Sequence, residues 1–151
     1  SRLTSLEDDL QKNLRRPGVE AGVICGKLEM ELGQMMPEEE REFRESLGAG
    51  ESGLERMIRL SYHLLDLISF LTMGEDEARA WPITSGTTAF GAAAKVHSDI
   101  QRGFIRAELV AFDDLNKVGS LAEARRQGVL RSEGKQYVVK DGDIINFLFN
   151  L

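Results

Sequence analysis

Six cations in the second half of the chain, Arg102, Arg106, Arg125, Arg126, Arg131 and Lys135, are interleaved with Phe104 and Tyr137. Guanidinium and ammonium groups hold phosphates and aromatic rings stack on bases, and neither contact needs a sequence code. That mixture on an exposed sheet face has the parts of an RNA platform. Glu108 and Glu133 lie in the same stretches, so a solvated charged face is the plain alternative. Three other patterns invite a chemical reading. Gly48-Ala-Gly50-Glu-Ser-Gly53 has the GxGxxG spacing that lets a backbone approach a pyrophosphate. A charged helical run, not a strand, precedes it, and no Lys-Ser/Thr follows, so it reads as a helix-to-helix turn. His97-Ser98-Asp99 offers imidazole, hydroxyl and carboxylate, but consecutive residues do not converge on one locus. His97 falls at the end of a helix, where the ring can bond a last-turn carbonyl, and a structural role for His97 and Asp99 is expected. His63 and His97 are the only histidines and Cys25 the only cysteine, with no i, i+4 pairing, so no metal site is expected.

These residues sit on a chain of 151, 42% hydrophobic and 29% charged, enough for one ordinary domain or two small ones. No apolar run approaches the roughly 18 to 20 residues of a membrane span, and the first residues lack a basic-then-apolar export pattern. A lone cysteine suits a reducing compartment, so a cytoplasmic protein with no membrane partner is expected. The net charge is -6, the wrong sign if free nucleic acid were the main ligand. The acidity is uneven. Residues 1–66 hold 9 basic and 14 acidic side chains, residues 67–151 hold 10 and 11.

The periodicity changes at the same point. Leu3, Leu6, Leu10 and Leu14 form the stripe of an amphipathic helix that Ser1 or Thr4 could cap. Val23-Ile24-Cys25 reads as a short buried strand. Pro37 followed by Glu38, Glu39 and Glu40 suits a helix first turn, with a stop near Gly48. Ser52 and Glu55 form a capping box for a helix whose apolar face runs through Leu54, Met57, Ile58, Leu64 and Leu65. From Leu67 onward strands are predicted at 67–72, 79–83, 104–112, 136–140 and 144–150. Two helices interrupt them. One carries Ala89, Ala92, Ala93 and Val96 on one face, and a short one over 120–127 is boxed by Ser120 and Glu123 and closed by Gly128. The order implies an α+β fold, a mixed sheet gripping one helix in the ubiquitin-like β-grasp manner.

Gly86-Thr-Thr-Ala89, followed by Ala93, Val96 and His97-Ser-Asp99, resembles the TGS domain. Phe70-Leu-Thr-Met-Gly74 through Trp81, Arg102-Gly-Phe-Ile-Arg106-Ala-Glu108 and Glu133-Gly-Lys135-Gln-Tyr137 through Asn150 resemble one branch in particular, the YchF or Obg-like ATPase family. Cys25-Gly-Lys-Leu28-Glu29 is similar to the last motif of that family's nucleotide-binding domain, so the resemblance covers nearly the whole chain. It implies a TGS domain at 67–151 preceded, over 1–66, by a mostly helical remnant of a P-loop domain and a connecting helix. The family's GxxxxGK[ST] loop, switches and base-selecting motif have no counterpart in these residues. The resemblance therefore implies a carboxyl-terminal part that does not hydrolyse nucleotide by itself and holds no cofactor, while the intact parent takes ATP or GTP with Mg²⁺.

In the parent, Cys25, Gly26 and Lys27 would lie beside the nucleotide base, with Gly26 standing where the family's pattern has Ala. The implied partners are the ribosome or ribosomal RNA and the upstream nucleotide-binding domain of the same protein. Arg102, Arg106 and Lys135 are the residues expected to meet RNA. The alternative is a protein-interaction β-grasp module without direct RNA contact.

Overall fold

The computed structural model describes residues 2–14, 16–74 and 77–150. It divides into two compact units, residues 1–65 and 66–151. The first is helical: α1 (Arg2–Asn13), α2 (Gly26–Leu32), α3 (Pro37–Leu47) and α4 (Gly53–Leu64). Pro37 opens α3, where its missing amide costs nothing, and the Glu39 carboxylate accepts from the Met36 N–H at 3.4 Å. Gly48 ends that helix in the left-handed conformation (φ 59) and Gly50 (φ 69) completes the turn into α4. The GxGxxG stretch is therefore a helix-to-helix turn. The capping box of α4 is reciprocal: Ser52 Oγ accepts from Glu55 N–H at 3.1 Å, and the Glu55 carboxylate accepts from Ser52 N–H at 2.9 Å. The capping of α1 by Ser1 or Thr4 falls outside the described residues and side chains.

Val23-Ile24-Cys25 is not a strand, because among the described residues of this unit there is no strand for it to pair with. Instead the Val23 carbonyl accepts from Arg56 Nη1 at 3.1 Å. Among the described residues Leu32 is the one buried apolar side chain of the unit. Ion pairs take over the cross-linking. Buried Arg44 holds Glu29 with both terminal nitrogens (3.0 and 2.6 Å) and Glu40 through Nε (2.9 Å). Arg56 ties α4 to Glu7 of α1 at 2.8 Å.

The second unit is α+β. Its elements are β1 (Leu67–Met73), β2 (Ala78–Thr84), α5 (Ala89–Val96), α6 (Ser98–Arg102), β3 (Phe104–Ala111), α7 (Phe112–Val118), α8 (Leu121–Arg126), β4 (Arg131–Glu133) and β5 (Asp143–Phe149). The strands form one mixed sheet ordered β2-β1-β5-β3-β4, with β1 and β5 parallel and the other pairs antiparallel. Helix α5 presents Ala89, Ala92 and Ala93 to the sheet. With no side chain beyond Cβ the backbone comes close, and all three are fully buried with Phe70, Ala107, Leu109 and Ile145. Part of the opposite face is covered by α7 and α8 around Val110, Ala124 and Ile144.

Three expectations for this unit are corrected. Residues 136–140 are not a strand. Val138 makes one isolated bridge to Thr88, and the Tyr137 carbonyl accepts from Ala89 N–H at 2.7 Å, so the segment is spent on the start of α5. The fifth strand is β4, three polar residues on the sheet edge. Ser120 caps α8, accepting from Glu123 N–H at 3.2 Å, but Glu123 does not reach back and binds Arg126 and Gln127 instead.

Candidate functional site

Strand alternation sends Ala107 and Leu109 into the core beneath α5 and leaves Arg106 and Glu108 on the other face. A bulge between Phe104 and Arg106 resets the phase at the strand's start. Phe104 therefore takes the buried place and Ile105 is 59% exposed, against the simple alternation that would put Ile105 inside. On the open face the Glu108 carboxylate is shared by two guanidinium groups. Arg125 Nη2, from α8, donates at 3.0 Å to one oxygen, and Arg106 Nη2 lies 3.7 Å from the other. Beside this triad a groove of about 300 Å³ opens between the sheet and α8, with Met73, Leu121, Leu130 and Ile144 in its lining.

The three cations expected to act together are dispersed. Arg106 is on the open face. Lys135 is in the turn after β4, not at the start of a strand, and its Nζ lies 5.1 Å over the ring of Phe90 on α5, which puts it on the helix side of the sheet. Arg102 ends α6 and donates to Asp99 at 2.8 Å. The interleaved aromatics are not free stacking surfaces either. Phe104 is in the core, and Tyr137 is half-buried in a cluster: its hydroxyl donates to Asp143 at 2.8 Å and accepts from Arg131 Nη2 at 3.2 Å. Burial first, and then the Asp143 acceptor, push the Tyr137 hydroxyl above its ordinary pKa.

His97 and Asp99 make local contacts at the ends of α6. His97 Nδ1 accepts from the Asp99 N–H at 3.1 Å and so caps α6, rather than bonding a carbonyl of α5. Cys25, Gly26 and Lys27 come together at the start of α2. Cys25 is the exposed N-cap, Gly26 begins the helix, and Lys27 pairs loosely with Glu31 at 3.8 Å. Among the described residues no group of His, Cys, Asp and Glu is arranged to hold a metal ion, and no helix is long and apolar enough to cross a membrane. Arg125 is the member of the Glu108 triad that sequence reasoning left unplaced. It is 17 positions from Glu108, and only the return of α8 over the sheet joins them.

The second unit is thus a small α+β module with one face closed by an alanine-rich helix and the other partly open and rimmed by arginine. Residues 67–150 match the family YchF-GTPase_C, described as a protein of unknown function (DUF933). The chain is 49% identical over 129 residues to the "Ribosome-binding ATPase YchF" of Bacillus subtilis (strain 168), covering 85% of this chain and 35% of that protein. It is 41% identical over 144 residues to the protein of the same name from Escherichia coli O157:H7, covering 95% and 40%. The solved structure of the Schizosaccharomyces pombe YchF GTPase superposes with a TM-score of 0.80 at 30% identity, over 98% of this chain and 38% of that one. The chain belongs to the YchF family and matches its C-terminal part. It spans 35 to 40% of the length of these curated relatives.

Proposed function

We propose that this chain is the C-terminal recognition part of a ribosome-associated P-loop ATPase, accepting ATP or GTP with Mg²⁺, and that its second unit is a TGS domain of β-grasp type that contacts ribosomal RNA. The family match, with relatives named as ribosome-binding, carries the reading. Arg106 supports it as the outward guanidinium of β3, with Arg102 and Lys135 supplying further positive charge from the adjoining helix and turn. The first unit, on this reading, trails from the nucleotide-binding domain, and Cys25, Gly26 and Lys27 lie beside the base in the complete protein. The leucines Leu6, Leu10 and Leu14 of the α1 end and Leu54, Met57 and Ile58 of α4 are all exposed, an apolar surface that an upstream domain of the same protein would cover.

Co-sedimentation of the chain with ribosomes across a salt series tests the RNA contact. Arg106→Glu combined with Lys135→Glu should weaken association and flatten the salt slope by about one counterion for each phosphate no longer neutralised. Unchanged association by a folded double variant overturns it.

A further inference from the structure

We infer that the groove between the open sheet face and α8 is a docking site for a protein segment that presents an aliphatic side chain beside a carboxylate. The inference goes beyond the RNA contact proposed above and uses neither Arg102 nor Lys135. The groove's apolar lining, Met73, Leu121, Ala122, Leu130, Ile144 and Ile145, is aliphatic, with no aromatic ring on which a base could stack. Met73 and Leu121 are 46% and 41% exposed, so apolar surface stands open to water here. At about 300 Å³ the groove is at the bottom of the range for pockets that engulf a small ligand, and it suits side chains brought by a partner.

The surface continues past the groove. Met73 pairs with Ala78, Leu71 with Ala80 and Ser69 with Pro82, and directly paired residues share a face, so exposed Ala78, Ala80 and Pro82 extend the surface as a shelf of small apolar groups. A phosphate backbone gains nothing on such a shelf, whereas a peptide buries apolar area.

Charge fixes the rest of the ligand. Arg106 and Arg125 converge on one carboxylate, which leaves an excess positive charge at the groove's rim. Among the described residues Arg125 gives one hydrogen bond, through Nη2, so the remaining donors of its fork can take a second carboxylate. At the other end, Met73 leads into a turn in which the Gly74 N–H donates to the Glu77 carbonyl at 2.8 Å, and the acidic residue Glu77 is exposed there. A partner carboxylate therefore belongs at the Arg125 end only.

The test is panning of a random 12-residue peptide library against the immobilised 151-residue chain. Anisotropy measurements on the enriched peptides then follow, with the chain, its Arg125→Glu variant and its Leu121→Asp variant. Both substituted side chains are exposed, and circular dichroism confirms that each variant is folded. Enriched peptides should carry Leu, Ile or Met next to Asp or Glu, and each variant should weaken their binding by about tenfold or more, as expected for removing a charge partner or an apolar anchor. Oligouridylate of twelve nucleotides should not displace them. No enrichment, a consensus lacking the acid, binding undiminished in either variant, or displacement by the RNA overturns the proposal. Ribosome association by Lys135→Glu alone, whose side chain lies on the helix side of the sheet and not at the groove, is a separate readout.

Discussion

Gly103→Ala sets two effects against each other. Gly103 follows α6 with φ -87 and ψ 6, a conformation alanine adopts freely. Losing glycine's unfolded-state freedom would by itself stabilise the domain by about 0.4 to 1 kcal/mol. A Cβ at this position, however, would stand 2.2 Å from the Asn150 carbonyl oxygen and 2.9 Å from its carbon, where ordinary contact begins near 3.4 Å. Those atoms are backbone and cannot rotate away. They belong to a clasp in which Asn150 N–H donates to the Gly103 carbonyl at 2.9 Å, joining the end of β5 to the start of β3. Overpacking costs about 1 to 3 kcal/mol and breaking the hydrogen bond about 0.5 to 1.5, so sterics win and the variant should be destabilised by about 1 to 3 kcal/mol. Trp81 is the only tryptophan, and it lies in this unit with its indole N–H donating to Thr72 at 2.9 Å, so urea unfolding followed by its fluorescence reports this unit. Gly134→Ala is the control. Nothing lies within 4 Å of its Cβ, and stability should be unchanged or slightly higher. A Gly103→Ala variant that unfolds with or after the parent would show that the backbones do not approach as described.

Ala93→Asp should destabilise the same unit by about 3 to 5 kcal/mol, the order for an unpaired buried charge, read by the same Trp81 unfolding. Arg44→Met should flatten the acid dependence of the first unit's helicity. The Arg44 hydrogen bond holds the Glu29 carboxyl below its ordinary 4.5, so the stability it contributes is complete above that value and lost as pH falls toward the lower folded value. Circular dichroism from pH 7 downward measures the change. Calorimetric titration of the chain with ATP or GTP in Mg²⁺ should show no binding, and Mg²⁺-dependent micromolar binding would refute the assignment of the phosphate cradle to residues outside this chain.

The parts of the fold legible in the sequence are those with a strong local cause. Ser52 with Glu55, Pro37 before three glutamates, and Gly48 after α3 each satisfy or spare orphan backbone groups, and each marks a helix end where the chain has one. The alternation of β3 and the apolar runs of β1 and β5 follow from burial on one or both faces. β4 lacks such a signal because an edge strand of Arg131, Ser132 and Glu133 is paired on one side and half-exposed, so nothing constrains its side chains to alternate. Residues 136–140 mislead for the converse reason. Tyr137 and Val139 are apolar because they pack on the α5 core, not because they extend the sheet. Val23-Ile24-Cys25 fails as a strand because pairing is non-local, and the four helices around it offer Arg56 instead.

The site shows the same limit at the level of side chains. Period-two alternation is enough to aim Arg106 outward, since Ala107 and Leu109 on either side of Glu108 are fully buried. It cannot aim Lys135, because a turn has no period, and the ammonium settles over Phe90 on the helix side. Spacing likewise cannot show that Phe104 is claimed by the core, which follows from a single inserted residue at the bulge with Ile105 put out in its place. Nor can it show that Arg125 joins Arg106, because the contact depends on where α8 lands after α7 and the short link through Gly119 and Ser120. Composition marks this half as nearly balanced in charge, but the fold divides its cations between two faces of one sheet. A ligand that needs Arg106 and Arg125 together therefore meets aliphatic side chains rather than the aromatic rings that lie near them in the sequence.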